Sequence, residues 1–320
     1  MLERPKISVV VLIYNVEQYI GKCVESLFNQ SFDSVEFIFI DDCSTDRSIE
    51  ILNRLMLQYP ERAKNSKVIR NETNQGQAKS RIIGINEANG QYIIACDSDD
   101  FVDTNAYKEL YNYIEATNSD IVACDFFRKQ DKRLSIESYT EKDTPTDWIK
   151  NILLSKKMGS LWNHLIRKEL LENIISPISN IMEDNVILIQ SILKSRTVST
   201  YKKPLYYYRF RSDSITNNTN NVTDQANQMY ANLVLIKSLL NYRGGVKISQ
   251  LHKTLQHKFV FVKKWLFTTV NSKKDCKDWI NFHQEINKWV FLNPYVQLKD
   301  KIVVMSIYLR MYPLLKKLKT

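Results

Sequence analysis

The chain is predicted to be an α/β protein: a doubly wound, mostly parallel sheet flanked by helices, followed by a mainly helical and basic C-terminal region. Three observations predict it. Short β-branched runs alternate with stretches of helical period over roughly the first 125 residues, the pattern of a parallel sheet with right-handed crossovers. Beyond them the alternation stops and helical spacing dominates. The charge changes as well: residues 221–320 hold 17 Lys/Arg against 5 Asp/Glu, and the rest of the chain 28 against 30. The expected division is a ligand-binding and catalytic domain over residues 1–220 and a helical basic region over residues 221–320.

Each element has a local reason. Residues 7–13 are an apolar β-branched run, as a buried parallel strand requires. Residues 16–29 space Tyr19, Ile20, Cys23, Val24 and Leu27 along one helical face. Residues 35–40 form a second strand; Asp46 is an N-cap candidate for a helix carrying Ile49, Leu52, Leu55 and Met56. A short strand at 67–70 precedes a helix over 75–89, with Gly90 placed to end it. Residues 92–96 are a fourth strand, 104–117 a helix and 120–124 a fifth strand. Residues 128–146 read as a polar loop, 147–200 as helical segments, 201–209 as a short aromatic strand, and 225–320 as mainly helical.

Composition narrows the function classes. With 44% hydrophobic and 25% charged residues in 320, the chain is neither disordered nor fibrous. Its five cysteines include no CxxC pair, which argues against a zinc ribbon or a disulfide framework and for a reducing compartment. The opening runs straight into a strand with no signal-peptide pattern, so a cytoplasmic chain is expected and the sequons at Asn71, Asn217 and Asn221 carry little weight. The longest apolar stretches, such as 302–315 with Arg310 inside it, are too short and too charged to span a bilayer.

Ligands of open parallel sheets bind at the carboxyl ends of the strands. After the first strand comes Tyr14-Asn15, after the second Asp41-Asp42, after the third residues 71–76, and after the fourth Asp97-Ser98-Asp99-Asp100. Carboxylates gathered in this way repel one another, so a cation is expected among them. Oxygen-only ligands favour Mg²⁺ or Mn²⁺. There is no GxGxxG after the first strand and no GxxxxGK[ST] anywhere, which disfavours a dehydrogenase or a P-loop kinase. A metal bridging carboxylate to diphosphate is the remaining solution. Capping of the next helix needs one Asp, not three, and Asp100 need do no more than that.

Four motifs in order resemble glycosyltransferase family 2: residues 7–15 (ISVVVLIYN), 37–46 (FIFIDDCSTD), 74–81 (NQGQAKSR) and 90–100 (GQYIIACDSDD). Trp162-Asn-His-Leu-Ile-Arg167, Met182-Glu-Asp-Asn185 and the tyrosine-rich stretch at 206–215 are similar to later family motifs. The resemblance implies a GT-A fold, mostly inverting transfer and a nucleotide-sugar donor, a UDP-sugar in the first instance. It implies that Tyr14 flanks the base, that Asp41, with Asp42 beside it, accepts from the base, and that Arg81 lies near base or diphosphate. It further implies that Asp97 approaches the ribose, Asp99 ligates Mn²⁺ or Mg²⁺, and Asp184 is the general base. The chemistry asks for such a base, since a hydroxyl is a weak nucleophile until a carboxylate takes its proton. The alternative is a non-catalytic sugar-nucleotide-binding or scaffold protein of a polysaccharide assembly complex. Two departures from the family stand out: Cys43 where glycine is common, suggesting a turn without positive φ, and Ile82 where asparagine is common. Trp162 reads as core or acceptor platform, His164 as a polar surface or cleft residue, Cys96 as a small buried hydrophobe, and Tyr206–Tyr208 as packing at the domain edge.

The basic C-terminal third needs its own explanation. Residues 251–270 and 299–320 mix Lys and Arg with Phe, Trp, Tyr and Leu. Such segments suit an anionic membrane surface, and a lipid-linked glycan acceptor on the inner face of the cytoplasmic membrane would rationalise them. The competing reading is a solvated basic face packed on the catalytic domain. Nucleic-acid binding is disfavoured, because no nucleic-acid motif accompanies the charge.

Overall fold

The structure, a computed structural model, describes residues 4–130, 133–139, 143–210, 221–242 and 248–317. The N-terminal half alternates as expected: β1 (Ile7–Ile13), α1 (Ile20–Phe28), β2 (Val35–Asp41), α2 (Ser48–Gln58), α3 (Pro60–Lys64), β3 (Ser66–Arg70), α4 (Gln77–Glu87), β4 (Tyr92–Asp97), β5 (Phe101–Val102) and α5 (Ala106–Thr117). Then come β6 (Ile121–Gln130), β7 (Arg133–Glu137), α6 (Pro145–Leu153), β8 (His164–Arg167), α7 (Glu183–Lys194) and β9 (Val198–Arg209). The C-terminal region holds α8 (Val222–Tyr242), α9 (Ile248–Trp265), α10 (Lys273–Asn281), α11 (Asn287–Leu292), α12 (Leu298–Tyr308) and α13 (Tyr312–Lys317).

One sheet runs in the order β3-β2-β1-β4-β8-β6-β9-β5, with β7 pairing β6. The first four strands in that order are mutually parallel, Val9 lying between Phe37 and Ile94. β8 is antiparallel to both β4 and β6, whereas β6 and β9 are parallel. Because β1, β2 and β4 are covered on both faces, nearly all their residues are buried, which explains their unbroken apolar sequences.

Several expectations are corrected. Part of residues 128–146 is not loop but the end of β6 and the antiparallel hairpin strand β7. Within 147–200, expected to be helical, a four-residue strand, β8, is inserted between β4 and β6. Gly90 does not terminate α4 through a left-handed turn: the helix ends at Ala88, and Gly90 lacks a positive φ. The glycine is needed for close approach, since a Cβ there would sit 2.6 Å from the backbone nitrogen of Ser8. Asp46 stands one residue outside the N-cap of α2, which is Arg47; its Oδ1 still accepts from the Ser48 N–H at 3.0 Å. Cys43 does adopt a left-handed conformation, with φ of 66°. The turn thus needs the positive φ after all, and the cysteine bears the strain that glycine would avoid.

The basic segment 251–270 does not present its apolar side to solvent. Leu251, Leu255, Phe259, Val260 and Val262 are buried in the helical region. Lys263 is buried too, its Nζ donating to the Asn287 Oδ1 at 2.6 Å and to the carbonyl of Phe282. Among the described residues no helix is long and apolar enough to cross a membrane.

Candidate active site

The carboxyl ends of β1, β2 and β4, the start of α4 and the start of α7 meet at one edge of the sheet. At the end of β1, Tyr14 stands 49% exposed, ahead of Asn15 with its positive φ. At the end of β2, Asp41 is fully buried; its Oδ1 accepts from the Ser44 N–H at 2.8 Å, and its Oδ2 lies 3.3 Å from Arg70 Nε. Asp42 points elsewhere and accepts from the N–H groups of Gln75 (2.7 Å) and Gly76 (2.8 Å) and from Asn71 Nδ2 (2.8 Å). Three bonds to one carboxylate fix the turn that starts α4.

Arg81, on α4, is the centre of the site. It is 2% exposed and faces three carboxylates: Asp97 Oδ1 at 3.3 Å, Asp184 Oδ1 at 3.6 Å and Glu183 Oε1 at 3.7 Å. Burial alone would lower the guanidinium pKa, but the charges of Asp184, Asp97 and Glu183 outweigh it and hold Arg81 firmly protonated. Burial pushes the Asp97 carboxyl up, against the pull of Arg81. Burial, then the neighbouring Asp184 charge, pushes Glu183 well above the usual carboxylate range. Carboxyls perturbed by burial beside a specific charge partner are a recurrent mark of functional sites.

The acidic cluster after β4 divides its labour. Asp100 is buried; its Oδ2 accepts from the Tyr206 hydroxyl at 2.8 Å and its Oδ1 from the Arg209 N–H at 2.6 Å, which pins β9 behind the cluster. The Tyr206 oxygen in turn accepts from the Asp97 N–H at 3.1 Å. Asp99 is half-buried between them. Among the described residues no three His, Cys, Asp or Glu side chains converge as a ready-made cation cage. A cation there would need ligands from the donor as well as from the protein.

Asp184 arrives from outside the parallel sheet, in the first turn of α7, where the helix dipole favours a carboxylate. Its Oδ2 accepts weakly from the Leu161 N–H at 3.4 Å, and its Oδ1 makes no hydrogen bond among the described residues. The residue before the pair, Met182, has a φ of 69°. Asn15, Cys43 and Met182 thus place left-handed non-glycine turns directly beside Tyr14, Asp42 and Glu183, and strain of this kind collects at functional sites. The loop leading to Asp184 is held from two sides. Gln190 bonds the N–H and carbonyl of Ile175, and buried Asn232, on α8, accepts from Ile178 N–H and donates to the carbonyls of Ser179 and Ile181.

Sequence reasoning assigned nothing to Glu183, although it adjoins Asp184; only the fold reveals that both face Arg81. Tyr206 was expected to pack a domain edge, whereas its hydroxyl links Asp97 to Asp100. Residues 211–215 of the tyrosine-rich stretch lie outside the described residues. Trp162 is core, stacked 4.3 Å from Tyr206 and edge-on to Phe126. His164 is not a cleft residue: it is fully buried, Nδ1 is 2.7 Å from the Ser160 carbonyl, and burial drives its pKa down to about 3. With Arg81 it lines a small cavity beside the site. Cys96 is, as expected, a buried thiol.

Comparison with known proteins adds an independent line. A sequence model described as Glycosyl transferase family 2 matches residues 8–175. EpsH of Bacillus subtilis, which carries a glycosyltransferase name, is 33% identical over 224 residues, 67% of this chain and 63% of that protein. The chain therefore spans under two thirds of the length of that relative. A poly(ribitol-phosphate) beta-glucosyltransferase of Bacillus spizizenii is 31% identical over 65% of this chain and 33% of its own. Among solved structures, S. aureus TarS 1–349 in complex with UDP-GlcNAc superposes with a TM-score of 0.74 at 22% identity, covering 96% of this chain and 88% of that one.

Proposed function

The chain belongs to glycosyl transferase family 2 and has the GT-A fold, and we propose that it is an active, inverting glycosyltransferase. In this reading it moves a sugar from a nucleotide diphosphate donor, a UDP-sugar, to a hydroxyl of a glycan or lipid-linked glycan. One observation carries the reading: Asp184, from a helix beyond the parallel sheet, is brought to within 3.6 Å of the same arginine that holds Asp97 at the end of β4. A scaffold that only bound a sugar nucleotide would have no use for that second carboxylate.

The residues take the following roles. Tyr14, exposed at the end of β1, stacks on the base, and Asp41 accepts from it, while Asp42 shapes the turn that presents α4. Arg81 orients Asp97 toward the ribose and Asp184 toward the acceptor. Asp184 Oδ1 takes the proton of the acceptor hydroxyl as its oxygen attacks the anomeric carbon. The bond from that carbon to the diphosphate breaks on the opposite face, so a single displacement inverts the centre. Mn²⁺ or Mg²⁺, held by Asp99 together with diphosphate oxygens, would neutralise charge on the departing nucleotide. Support for the donor comes from the UDP-GlcNAc complex of TarS, and support for a cation from a Pyrobaculum calidifontis mannosyltransferase solved with GDP-Man and Mn²⁺, at a TM-score of 0.55. Residues 1–220 form the catalytic domain and 221–320 the basic helical region, and a lipid-linked acceptor would place the enzyme peripherally on the inner face of the cytoplasmic membrane.

The test is a thermal-shift screen of UDP- and GDP-sugars with Mn²⁺, since a bound ligand raises apparent stability by mass action, followed by turnover with the hits. Asp184→Ala is expected to keep UDP affinity and lose about 10²–10⁴-fold in transfer or donor hydrolysis. Asp99→Ala is expected to lose the metal-dependent part of donor binding. Turnover retained in Asp184→Ala would refute the base assignment.

A further inference from the structure

We propose that the solvent-facing side of α12, with its continuations at the end of α11 and in α13, is a docking surface for an anionic lipid bilayer. Leu298, Ile302, Met305 and Leu309 are exposed by 73%, 59%, 49% and 62%. Their spacing of four, three and four residues puts them in one stripe along one side of the helix. The opposite side of α12 is already occupied: Val304 and Ile307 are fully buried, and the helix packs on α10 and α11. Leu292 before the helix and Leu314 after it are also exposed, by 80% and 62%. Single exposed apolar residues are ordinary. A continuous apolar stripe on a helix with its other side buried marks an interaction surface.

Charge selects the occupant. Asp300 is the one acid between residues 292 and 317, and it is buried and paired with Lys264 at 2.6 Å. Lys299 and Arg310 stand exposed beside the stripe. A two-fold pairing of this surface with a second copy would turn the same cations toward each other. Anionic headgroups reverse that sign, and the apolar stripe can then sink to the acyl boundary with the helix lying in the interface plane. At eleven residues α12 is far too short to span a bilayer. The surface narrows the membrane contact expected from the sequence over 251–270 and 299–320 chiefly to the second of those segments. Residues 251–270 spend their apolar side on the core, so docking falls to α11–α13.

This deepens the lipid-linked-acceptor reading and rests on it for its purpose, but docking is read without donor or turnover, so the two can fail separately. The experiment is flotation of the full chain with vesicles of phosphatidylcholine alone or mixed with phosphatidylglycerol, at low and high salt. The wild-type chain is expected to float with the mixed vesicles and to be partly released by salt. Ile302→Glu combined with Leu309→Glu should lower the partition coefficient at least about tenfold, with an unchanged melting temperature because both sites are exposed. Lys299→Gln with Arg310→Gln keeps the stripe and should remove the salt-sensitive part of binding. Wild-type chain left in the soluble fraction, or equal flotation of the wild-type and stripe variants, overturns the proposal. So does concentration-dependent self-association that the stripe variant abolishes, which would assign the surface to a second copy.

Discussion

Replacing Arg81 with methionine would leave Asp97, Glu183 and Asp184 facing one another with no cation among them. Each pair now lies at 3.3–3.7 Å, worth about 4–5 kcal/mol at an effective dielectric constant near 20. Repulsion among the three acids and the desolvation of the arginine offset much of that sum. Asp97 is also about a third exposed, which screens its share. Removing one partner of a buried pair costs about 3–5 kcal/mol, and the lower end, about 3 kcal/mol at pH 8, is expected for Arg81→Met. The pH dependence has a definite sign. Asp97 and Glu183 already have folded-state pKa values raised by burial, and Arg81 is what pulls both down. Without it they rise further, so the folded variant binds more protons than its unfolded chain, and its stability falls as pH climbs from the ordinary carboxylate range through the raised values. Urea melts at pH 5 and pH 8 should therefore give a penalty larger at pH 8 by at least about 1 kcal/mol. A loss below about 1 kcal/mol, or one equal at both pH values, would show that Arg81 is not what reconciles the three acids.

Two further outcomes follow from single residues. Cys43→Gly should stabilise the chain: relief of a left-handed conformation costing about 1–2 kcal/mol exceeds the extra backbone entropy of glycine, about 0.5–1 kcal/mol. A rise in Tm of about 1–3 °C is expected by calorimetry, and a fall would show the turn to be unstrained. His164 stays neutral while buried, with a pKa near 3 against 6.5. Its folded-state pKa is depressed, so the stability it contributes is present above about 6.5 and is lost as pH falls, by about 1.4 kcal/mol per unit. The stability difference between the wild-type chain and His164→Gln should shrink by about 1.6 kcal/mol between pH 6.5 and pH 5; a constant difference would mean that the imidazole charges in place.

What could be read from the sequence was what depends on neighbours along the chain. β1, β2 and β4 were visible because strands covered on both faces are apolar runs, and the acids at their ends were visible because turns interrupt those runs. β8 was not, because four residues carry no period and only β4 and β6 on either side make His164–Arg167 a strand. Asp184 was reached through family resemblance, whereas Glu183 and the central position of Arg81 needed the fold, because the three acids around it come from positions 97, 183 and 184. Lys263 misled for a physical reason: lysine reads as surface, yet carbonyls and an asparagine accept its hydrogen bonds and allow it inside. Cys43 misled in the opposite sense, since a non-glycine residue need not mean relaxed backbone.

The amide of Asn232 has a reach beyond its own helix. It belongs to α8, yet its hydrogen bonds end on residues 178–181, directly ahead of Glu183 and Asp184. α8 packs on α9, α9 on α11, and α11 on α12. A contact that restrains the outer helices is therefore mechanically in series with Asp184, the carboxylate proposed as the base. Thermodynamic linkage makes such a series reciprocal: if occupancy of the cleft stiffens residues 178–181, it must alter affinity at the far end of the helical region by the same factor that the far end alters the cleft.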